Sequence, residues 1–319
     1  MNLLSVGDLA ITFETQEGSV KAVDKVSFDV KKGEIFALVG ESGCGKSTTA
    51  LSLMRLIPEP GKITNGKILF EGKDLLNVSE NEMYSIRGKQ IGMIFQNPLD
   101  SLNPVYTVGQ QVVEGLLIDN MPKQEAWQRA IDIFDDVKIS DSTQRVNSFP
   151  HELSGGMRQR VMIGMMLSRN PKLLIADEPT TALDVTIQAQ ILELLKELRE
   201  KYNTSILVIT HDFGIVAEIA DRVGVMYAGK MVEVGDVYKI FENPSHPYTK
   251  LLMKALPRIT KNQGRLETIP GNVPNLAKPP TGCRFHPRCP FAIDVCSKSQ
   301  PEFIEIEEGH LCACHRGEF

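Results

Sequence analysis

A run near the N-terminus has the residue types and spacing of a phosphate-binding loop. It fits the pattern G-x-x-x-x-G-K-[ST], with Gly40, Glu41, Ser42, Gly43, Cys44, Gly45, Lys46, Ser47 and Thr48. The three glycines allow the backbone to curl until its N–H groups point at phosphate oxygens. Lys46 adds a mobile positive charge, and the Ser47 hydroxyl suits Mg²⁺ beside the terminal phosphates. The pattern predicts a site for ATP, in which Cys44 is a small filler and not a nucleophile.

Two adjacent carboxylates, Asp177 and Glu178, end an apolar run at residues 173–176. Successive side chains leave the end of a strand in different directions. Asp177 can therefore hold Mg²⁺ while Glu178 faces the water that attacks the γ-phosphate. The alternative is a solvated acidic turn, which the apolar run before the pair disfavours.

His211 follows another apolar run, residues 205–210. A single histidine is more often structural, but ligands of open parallel sheets collect at the carboxyl ends of the strands. We therefore predict that His211 contacts the γ-phosphate. Catalytic roles are predicted for Lys46, Glu178 and His211.

The chemistry requires strands and helices that hold these residues in place. Residues 35–39 form a short apolar run typical of a buried parallel strand, and residues 49–55 have the pattern of a helix. Strand, loop and helix thus occur in the order that a phosphate-binding loop needs. A glycine-rich structural turn, the alternative, does not predict this order.

Composition excludes several classes of protein. The chain has 319 residues, 42% of them hydrophobic and 24% charged, with a formal net charge of -5. It has no basic field for nucleic acid. The most apolar stretch, residues 161–167, is too short to cross a bilayer, and the first residues lack the pattern of a secretory signal. The sequence therefore predicts a cytosolic protein whose membrane role, if it has one, goes through a partner.

Residues 153–156, Leu-Ser-Gly-Gly, precede a predicted helix. Ser154, Gly155 and Gly156 can form a second anion-binding nest there. Together with the phosphate loop and the Asp-Glu strand, this motif resembles the signature of ATP-binding-cassette (ABC) proteins. The resemblance implies that the nest contacts a nucleotide held by a second subunit, with two ATP molecules sandwiched head to tail.

The same resemblance implies further roles. Gln96 resembles the residue that senses γ-phosphate and Mg²⁺, and residues 182–184 resemble a segment that crosses the dimer interface. Phe13, in an early predicted strand, is the candidate for stacking on adenine. Residues from about 98 to 160 correspond to a helical subdomain that docks on a membrane subunit, in which Trp127 is expected to pack in or near the core.

After residue 235 the chain becomes rich in proline, which predicts an appended module. Its His246-Pro247-Tyr248 run resembles the C-terminal extension of dipeptide and oligopeptide importer ATPases, so the resemblance covers essentially the whole chain. It implies a second ABC ATPase subunit as partner, by family habit a related paralogue, although an identical copy stays open. It also implies two membrane permease subunits, an external peptide-binding protein reached indirectly, and a peripheral location on the cytoplasmic face of the membrane.

Five of the six cysteines lie in this module, from residue 283 onward. In a reducing compartment such a cluster suggests a metal or iron-sulfur site. Structural zinc usually uses pairs closer in sequence, whereas wide spacing suits a [4Fe-4S] cluster. The family pattern implies Cys283, Cys289, Cys296 and Cys314 as ligands, with Cys312 as the spare. Zinc, disulfides and an exchange of Cys312 with Cys314 stay open.

The sequence as a whole predicts an α/β fold of the P-loop NTPase, ABC type: a parallel-sheet core, an antiparallel β subdomain, a helical subdomain and a small cysteine-rich module. The predicted boundaries are 1–235 for the ATPase domain and 236–319 for the extension. The expected function is ATP hydrolysis that drives import of dipeptides or oligopeptides. The alternatives are a nickel importer of the same family, a soluble ABC ATPase of DNA repair or translation, and an ATPase that serves an iron-sulfur sensor.

Overall fold

The computed structural model describes residues 1–16, 18–96, 101–181, 183–255 and 269–317. Contacts divide the chain into two compact units, residues 1–77 with 209–319 and residues 78–208. Two predicted features fall partly outside the described residues. These are Ala182 of the predicted interface segment and the predicted start of the helical subdomain at Pro98.

The strands are β1 (Asn2–Thr15), β2 (Gly18–Lys31), β3 (Ile35–Val39), β4 (Gly61–Phe70), β5 (Lys73–Asp74), β6 (Ile91–Ile94), β7 (Leu173–Asp177), β8 (Ser205–Thr210), β9 (Arg222–Tyr227), β10 (Lys230–Asp236), β11 (Ile304–Glu307) and β12 (His310–Cys312). The helices are α1 (Lys46–Leu53), α2 (Glu80–Ile86), α3 (Val108–Ile118), α4 (Lys123–Asp136), α5 (Ser142–Arg145), α6 (Gly155–Leu167), α7 (Val185–Tyr202), α8 (Phe213–Ile219), α9 (Val237–Glu242) and α10 (Pro247–Ala255).

The first unit contains an antiparallel sheet and a set of parallel strands. The antiparallel sheet has the order β2-β1-β4-β5. Strand β3 runs parallel to β9, with Phe36 opposite Arg222 and Val39 opposite Val225. Every residue of β3 is buried, as its unbroken apolar sequence requires. The predicted parallel core and antiparallel N-terminal portion are both confirmed.

The second unit combines parallel strands with helices. Strand β6 runs parallel to β7, with Ile91 opposite Leu173 and Ile94 opposite Ala176. Helix α3 begins with a capping box in which Thr107 and Gln110 exchange hydrogen bonds. Trp127 is half-buried, as expected of a packing residue.

The C-terminal extension is part of the first unit's sheet. Strand β12 pairs with β10, and β11 pairs with β12, both antiparallel. Phe285, which follows the first cysteine of the module, belongs to the same core cluster as Val39 and Tyr227. Proline-rich composition indicated the start of a new segment, but it could not show that this segment returns to extend the sheet.

A buried carboxylate joins the module to strand β10. Glu233 is fully buried, and it accepts hydrogen bonds from the backbone N–H groups of Ser245 and His246 at 2.6 and 3.0 Å. Its Oε1 also lies 2.8 Å from Nε2 of His310 on β12. The hydrogen bond to Glu233 raises the pKa of His310, whereas burial lowers the pKa of His246 to about 4. One side chain therefore fixes both the turn before α10 and the strand that precedes Cys314.

We predict that Glu233→Gln lowers the free energy of unfolding by about 3 kcal/mol, because the change leaves buried donors without their charged acceptor. Urea unfolding followed by circular dichroism measures the loss. Glu307→Gln is the control, since Glu307 also approaches His310, at 3.5 Å, but its side chain is 47% exposed. Equal losses in the two variants would contradict this account.

Candidate nucleotide-binding site

The phosphate loop connects β3 to α1, and two of its glycines are held against backbone carbonyls. Gly40 has φ 154°, and a Cβ there would lie 2.1 Å from the carbonyl oxygen of Met226. Gly45 has φ 104°, and its Cβ would lie 2.5 Å from the carbonyl oxygen of Ala22. No other residue type fits either position without moving the neighbouring strand. The curled backbone predicted from the sequence is present.

Lys46 reaches back across the loop that precedes it. Its Nζ donates hydrogen bonds to the carbonyl oxygens of Gly40 and Glu41 at 2.8 and 3.1 Å. The side chain is buried, while Ser47 and Thr48 are half-buried in the first turn of α1. The loop thus leads directly into the N-terminus of α1, and a helix N-terminus favours an anion.

The remaining loop residues divide by exposure. Ser42 and Gly43 are exposed. Cys44 is fully buried, and burial raises the pKa of its thiol. Its carbonyl oxygen accepts a hydrogen bond from the N–H of Gly229 at 2.9 Å. These contacts suit the predicted role of Cys44 as a filler that ties the loop to the turn after β9.

The second unit brings the acidic pair and Gln96 together. Asp177 is buried at the end of β7. Glu178 follows with φ 48°, and its Oε2 accepts hydrogen bonds from Gln96 Nε2 at 2.8 Å and from Thr181 Oγ1 at 2.9 Å. Two residues that the sequence singled out are thus in direct contact, and Thr181, which it did not, positions the same carboxylate.

The Leu-Ser-Gly-Gly motif forms the start of α6. Ser154 is the N-cap, and its side chain accepts a hydrogen bond from the N–H of Met157 at 3.3 Å. Ser154 and Gly155 are exposed. Gly156 is close to α7, since a Cβ there would lie 2.9 Å from Cγ2 of Ile187. The exposed corner is therefore open to a ligand from outside this unit.

Gln159, one turn along α6, is a residue whose role the sequence did not predict. It is buried, and its Nε2 donates to the carbonyl oxygen of Pro179 at 2.6 Å. The hydrogen bond joins the signature helix to the segment that follows Glu178. The sequence did offer one signal for this contact: Gln159 is an amide among apolar residues on the same side of the helix.

His211 and Phe13 lie in the first unit. His211 directly follows β8 and is exposed. Phe13 is half-buried on β1, and its ring covers Gly61, where a Cβ would lie 2.5 Å from Cε1 of Phe13. Contact of His211 with γ-phosphate and of Phe13 with adenine stay predictions.

The four cysteines implied as ligands line one small cavity in the module: Cys283, Cys289, Cys296 and Cys314, with His286 and His315 beside them. Burial, together with repulsion from the other three cysteines, raises the pKa of Cys283 to about 11. Cys312 lies on β12, fully buried opposite Glu233. Four thiols thus open on one cavity, and thiolate sulfur is the donor that an iron-sulfur cluster uses. In the described ranges, no set of three or more His, Cys, Asp or Glu side chains is arranged to hold a metal ion.

No helix among the described residues has the length and apolarity that a bilayer span requires.

Comparison with known proteins assigns the chain to a family. Residues 23–181 match the ABC transporter family model, and residues 232–296 match that of the oligopeptide/dipeptide transporter C-terminal region. The chain belongs to the ATP-binding subunits of oligopeptide/dipeptide ABC transporters. It is an ABC ATPase, and its P-loop fold is the predicted one.

Full-length relatives support this membership. The oligopeptide transport ATP-binding protein OppD of Bacillus subtilis is 52% identical over 97% of this chain and 87% of its own length. The dipeptide transport ATP-binding protein DppD of Escherichia coli is 48% identical over 99% of this chain and 97% of its own.

Among solved structures, an ATP-binding cassette that forms a dimer in a post-hydrolysis state bound to ADP and Pi has a TM-score of 0.66 and 28% identity. It covers 73% of this chain and 98% of its own. This ATPase thus resembles members of its family over nearly its whole sequence, and it resembles a solved ATP-binding cassette in fold.

We predict that Gly40→Ala lowers the affinity of this ABC subunit for ATP by at least about tenfold, because the new methyl group displaces either the loop or Met226. Gly43→Ala is the matched control. Gly43 also has a positive φ, 78°, but a Cβ there meets nothing within 4 Å. Titration with a fluorescent ATP analogue compares the two variants, and equal affinities would show that the contact with Met226 does not shape the site.

Proposed function

We propose that this chain is one half of a two-ATPase motor that drives import of dipeptides or oligopeptides through a membrane permease. The observation that carries the proposal is the closed phosphate loop, in which Gly40 and Gly45 touch backbone carbonyls and Lys46 caps the loop. Membership of the oligopeptide/dipeptide transporter family gives this ATPase its cargo class, since the relatives are named for transport of oligopeptides and of dipeptides.

Each site residue then has a role in hydrolysis. Loop N–H groups and Lys46 would bind the phosphates, and Ser47, Gln96 and Asp177 would hold Mg²⁺. When bound, Mg²⁺ offsets the charge of the terminal phosphates. Glu178 polarises the attacking water, and its hydrogen bonds to Gln96 and Thr181 fix the direction in which its carboxylate points. His211 contacts the γ-phosphate.

The exposed corner of α6 serves a second subunit. Ser154 and Gly155 lie at a helix N-terminus that binds anions, and we propose that they contact ATP held by a partner ATPase, a related paralogue. The dimeric cassette with ADP and Pi is a precedent from another protein. Residues 98–160 dock on one of two permease subunits, which places the chain peripherally on the cytoplasmic face, and an external binding protein delivers peptide.

In this proposal the cysteine cavity would hold a [4Fe-4S] cluster. Four thiols around one cavity support it, and Cys312 lies instead on β12, opposite Glu233. Cys283, Cys289, Cys296 and Cys314 would be the ligands. A cluster bound there would join four points of the module through metal-thiolate bonds.

We predict that Glu178→Gln lowers the ATPase rate more than about 100-fold and retains ATP binding, because the amide cannot accept the proton of the attacking water. Peptide uptake by the assembled transporter falls with the rate. Glu218→Gln, an exposed carboxylate on α8, is the control. A motor loses uptake with its hydrolysis, whereas retained uptake in Glu178→Gln would favour a sensor whose ATPase only regulates.

We predict that Cys314→Ser abolishes iron binding and visible charge-transfer absorption in anaerobically purified protein, whereas Cys312→Ser retains both. Iron and zinc analysis of the two variants is the measurement. If Cys312→Ser loses iron and Cys314→Ser retains it, the fourth ligand is Cys312 and not Cys314. Stoichiometric zinc without iron in the unmodified chain would contradict the cluster.

A further inference from the structure

The phosphate loop carries a negative charge of its own next to the anion that it binds. Glu41 directly follows Gly40, and its backbone carbonyl accepts a hydrogen bond from Lys46. An unpaired carboxylate at this position repels a triphosphate. Binding therefore requires the charge of Glu41 to be neutralised and directed away.

Arg288 of the cysteine-rich module pairs with this carboxylate. Its Nη1 lies 2.8 Å from Oε2 of Glu41, and its Nη2 lies 3.2 Å from Oε1. This two-point geometry is the strongest form of arginine-carboxylate contact. Only 6% of the Arg288 side chain is exposed, so solvent screens the pair weakly. The pair joins residues that are 247 positions apart.

The guanidinium of Arg288 is itself held on the remaining sides. Its Nε donates to the carbonyl oxygen of Pro270 at 2.9 Å, and Nη1 donates to the hydroxyl of Tyr227 at 3.3 Å. These contacts fix the direction of the guanidinium plane. Arg288 lies in a 3-10 turn, His286–Arg288, that ends directly before Cys289.

Tyr248 forms a hydrogen bond with the backbone of Glu41. Its hydroxyl oxygen accepts a hydrogen bond from the N–H of Glu41 at 3.0 Å. The ring is fully buried and packs against Tyr227 and Phe285, with centroids 4.6 and 5.4 Å apart. Both the side chain and the N–H of Glu41 are thus bound by residues of the C-terminal extension.

We propose that Arg288 and Tyr248 are positioning residues of the nucleotide site, which neutralise Glu41 and fix it away from the phosphates. The C-terminal module then stabilises the phosphate loop in addition to carrying the cysteines, and we call the contacts of Arg288 and Tyr248 with Glu41 the brace. This inference rests on the proposed binding of ATP by the loop of Lys46. It assigns a function in nucleotide affinity to a segment that the phosphate-loop motif does not include.

The test is a double-mutant cycle on the full chain in the purified transporter. We expect Arg288→Gln to weaken binding of a fluorescent ATP analogue about tenfold and to raise KM more than it lowers kcat. In a Glu41→Gln background the same change costs less than about twofold, since no carboxylate is left to neutralise. If Arg288 has only a structural role, Arg288→Gln lowers the affinity for the ATP analogue equally in both backgrounds. That result would overturn the proposal.

Tyr248→Phe is the second variant, in case Arg288→Gln does not fold. It removes the acceptor of the Glu41 N–H and keeps the buried ring, so we expect affinity to fall about threefold. An unchanged affinity would count against the brace. Thr281→Val is the control, because it removes a hydrogen bond inside the module, from Thr281 Oγ1 to the Ser297 carbonyl, and should leave ATP affinity unchanged.

Lys46→Ala separates this proposal from the one on which it rests. If Lys46→Ala retains full affinity, the proposed nucleotide site is wrong. If Lys46→Ala abolishes binding while the Arg288 and Tyr248 variants bind as the unmodified chain does, only the brace is wrong.

Discussion

The contact of two loop glycines with backbone carbonyls is the constraint on which the first unit is built. Gly40 lies against Met226 at the end of β9, and Gly45 lies against Ala22 on β2. The loop can therefore keep its curl only if the parallel strands and the antiparallel sheet hold those two carbonyls in place. The fully buried β3 leads into the loop at this position, so the packing around the loop sets the course of its backbone.

The C-terminal extension takes part in the same arrangement. Strand β12 lengthens the sheet beside β10, and Glu233 binds the turn before α10 and His310 together. Phe285 lies in the core with Tyr227 and Tyr248. The segment with the cysteines is thus anchored by buried apolar contacts and a buried carboxylate, both independent of any bound metal. Such anchoring allows the module to act on the loop.

Local sequence patterns were enough to predict the elements that carry the proposed nucleotide-site residues. An apolar run followed by G-x-x-x-x-G-K-[ST] specified β3, the loop and α1, and an apolar run before Asp177 and Glu178 specified β7. These elements are short-range, so residue order alone encodes them. The ABC signature extended the prediction to Ser154 and Gln96, and the latter contacts Glu178.

Long-range polar pairs could not be predicted in the same way. Glu41 with Arg288 and Glu233 with His310 join positions that are 247 and 77 residues apart. No periodic pattern in a sequence identifies the partner of a charged residue. Because most charged residues are solvated, a solvent-exposed position is the default expectation for each of them. Gln159 illustrates the same limit at shorter range, since its motif indicated a helix start but not the amide's contact with Pro179.

In the proposed motor, this chain binds one ATP with its phosphate loop and contacts a partner's ATP with residues 154–156. A structure of the complete transporter with ATP bound and hydrolysis blocked measures this directly. We expect one triphosphate against Lys46, and the N–H groups of residues 154–156 against the γ-phosphate in the partner's loop. A complex in which residues 154–156 face away from every bound nucleotide would contradict it.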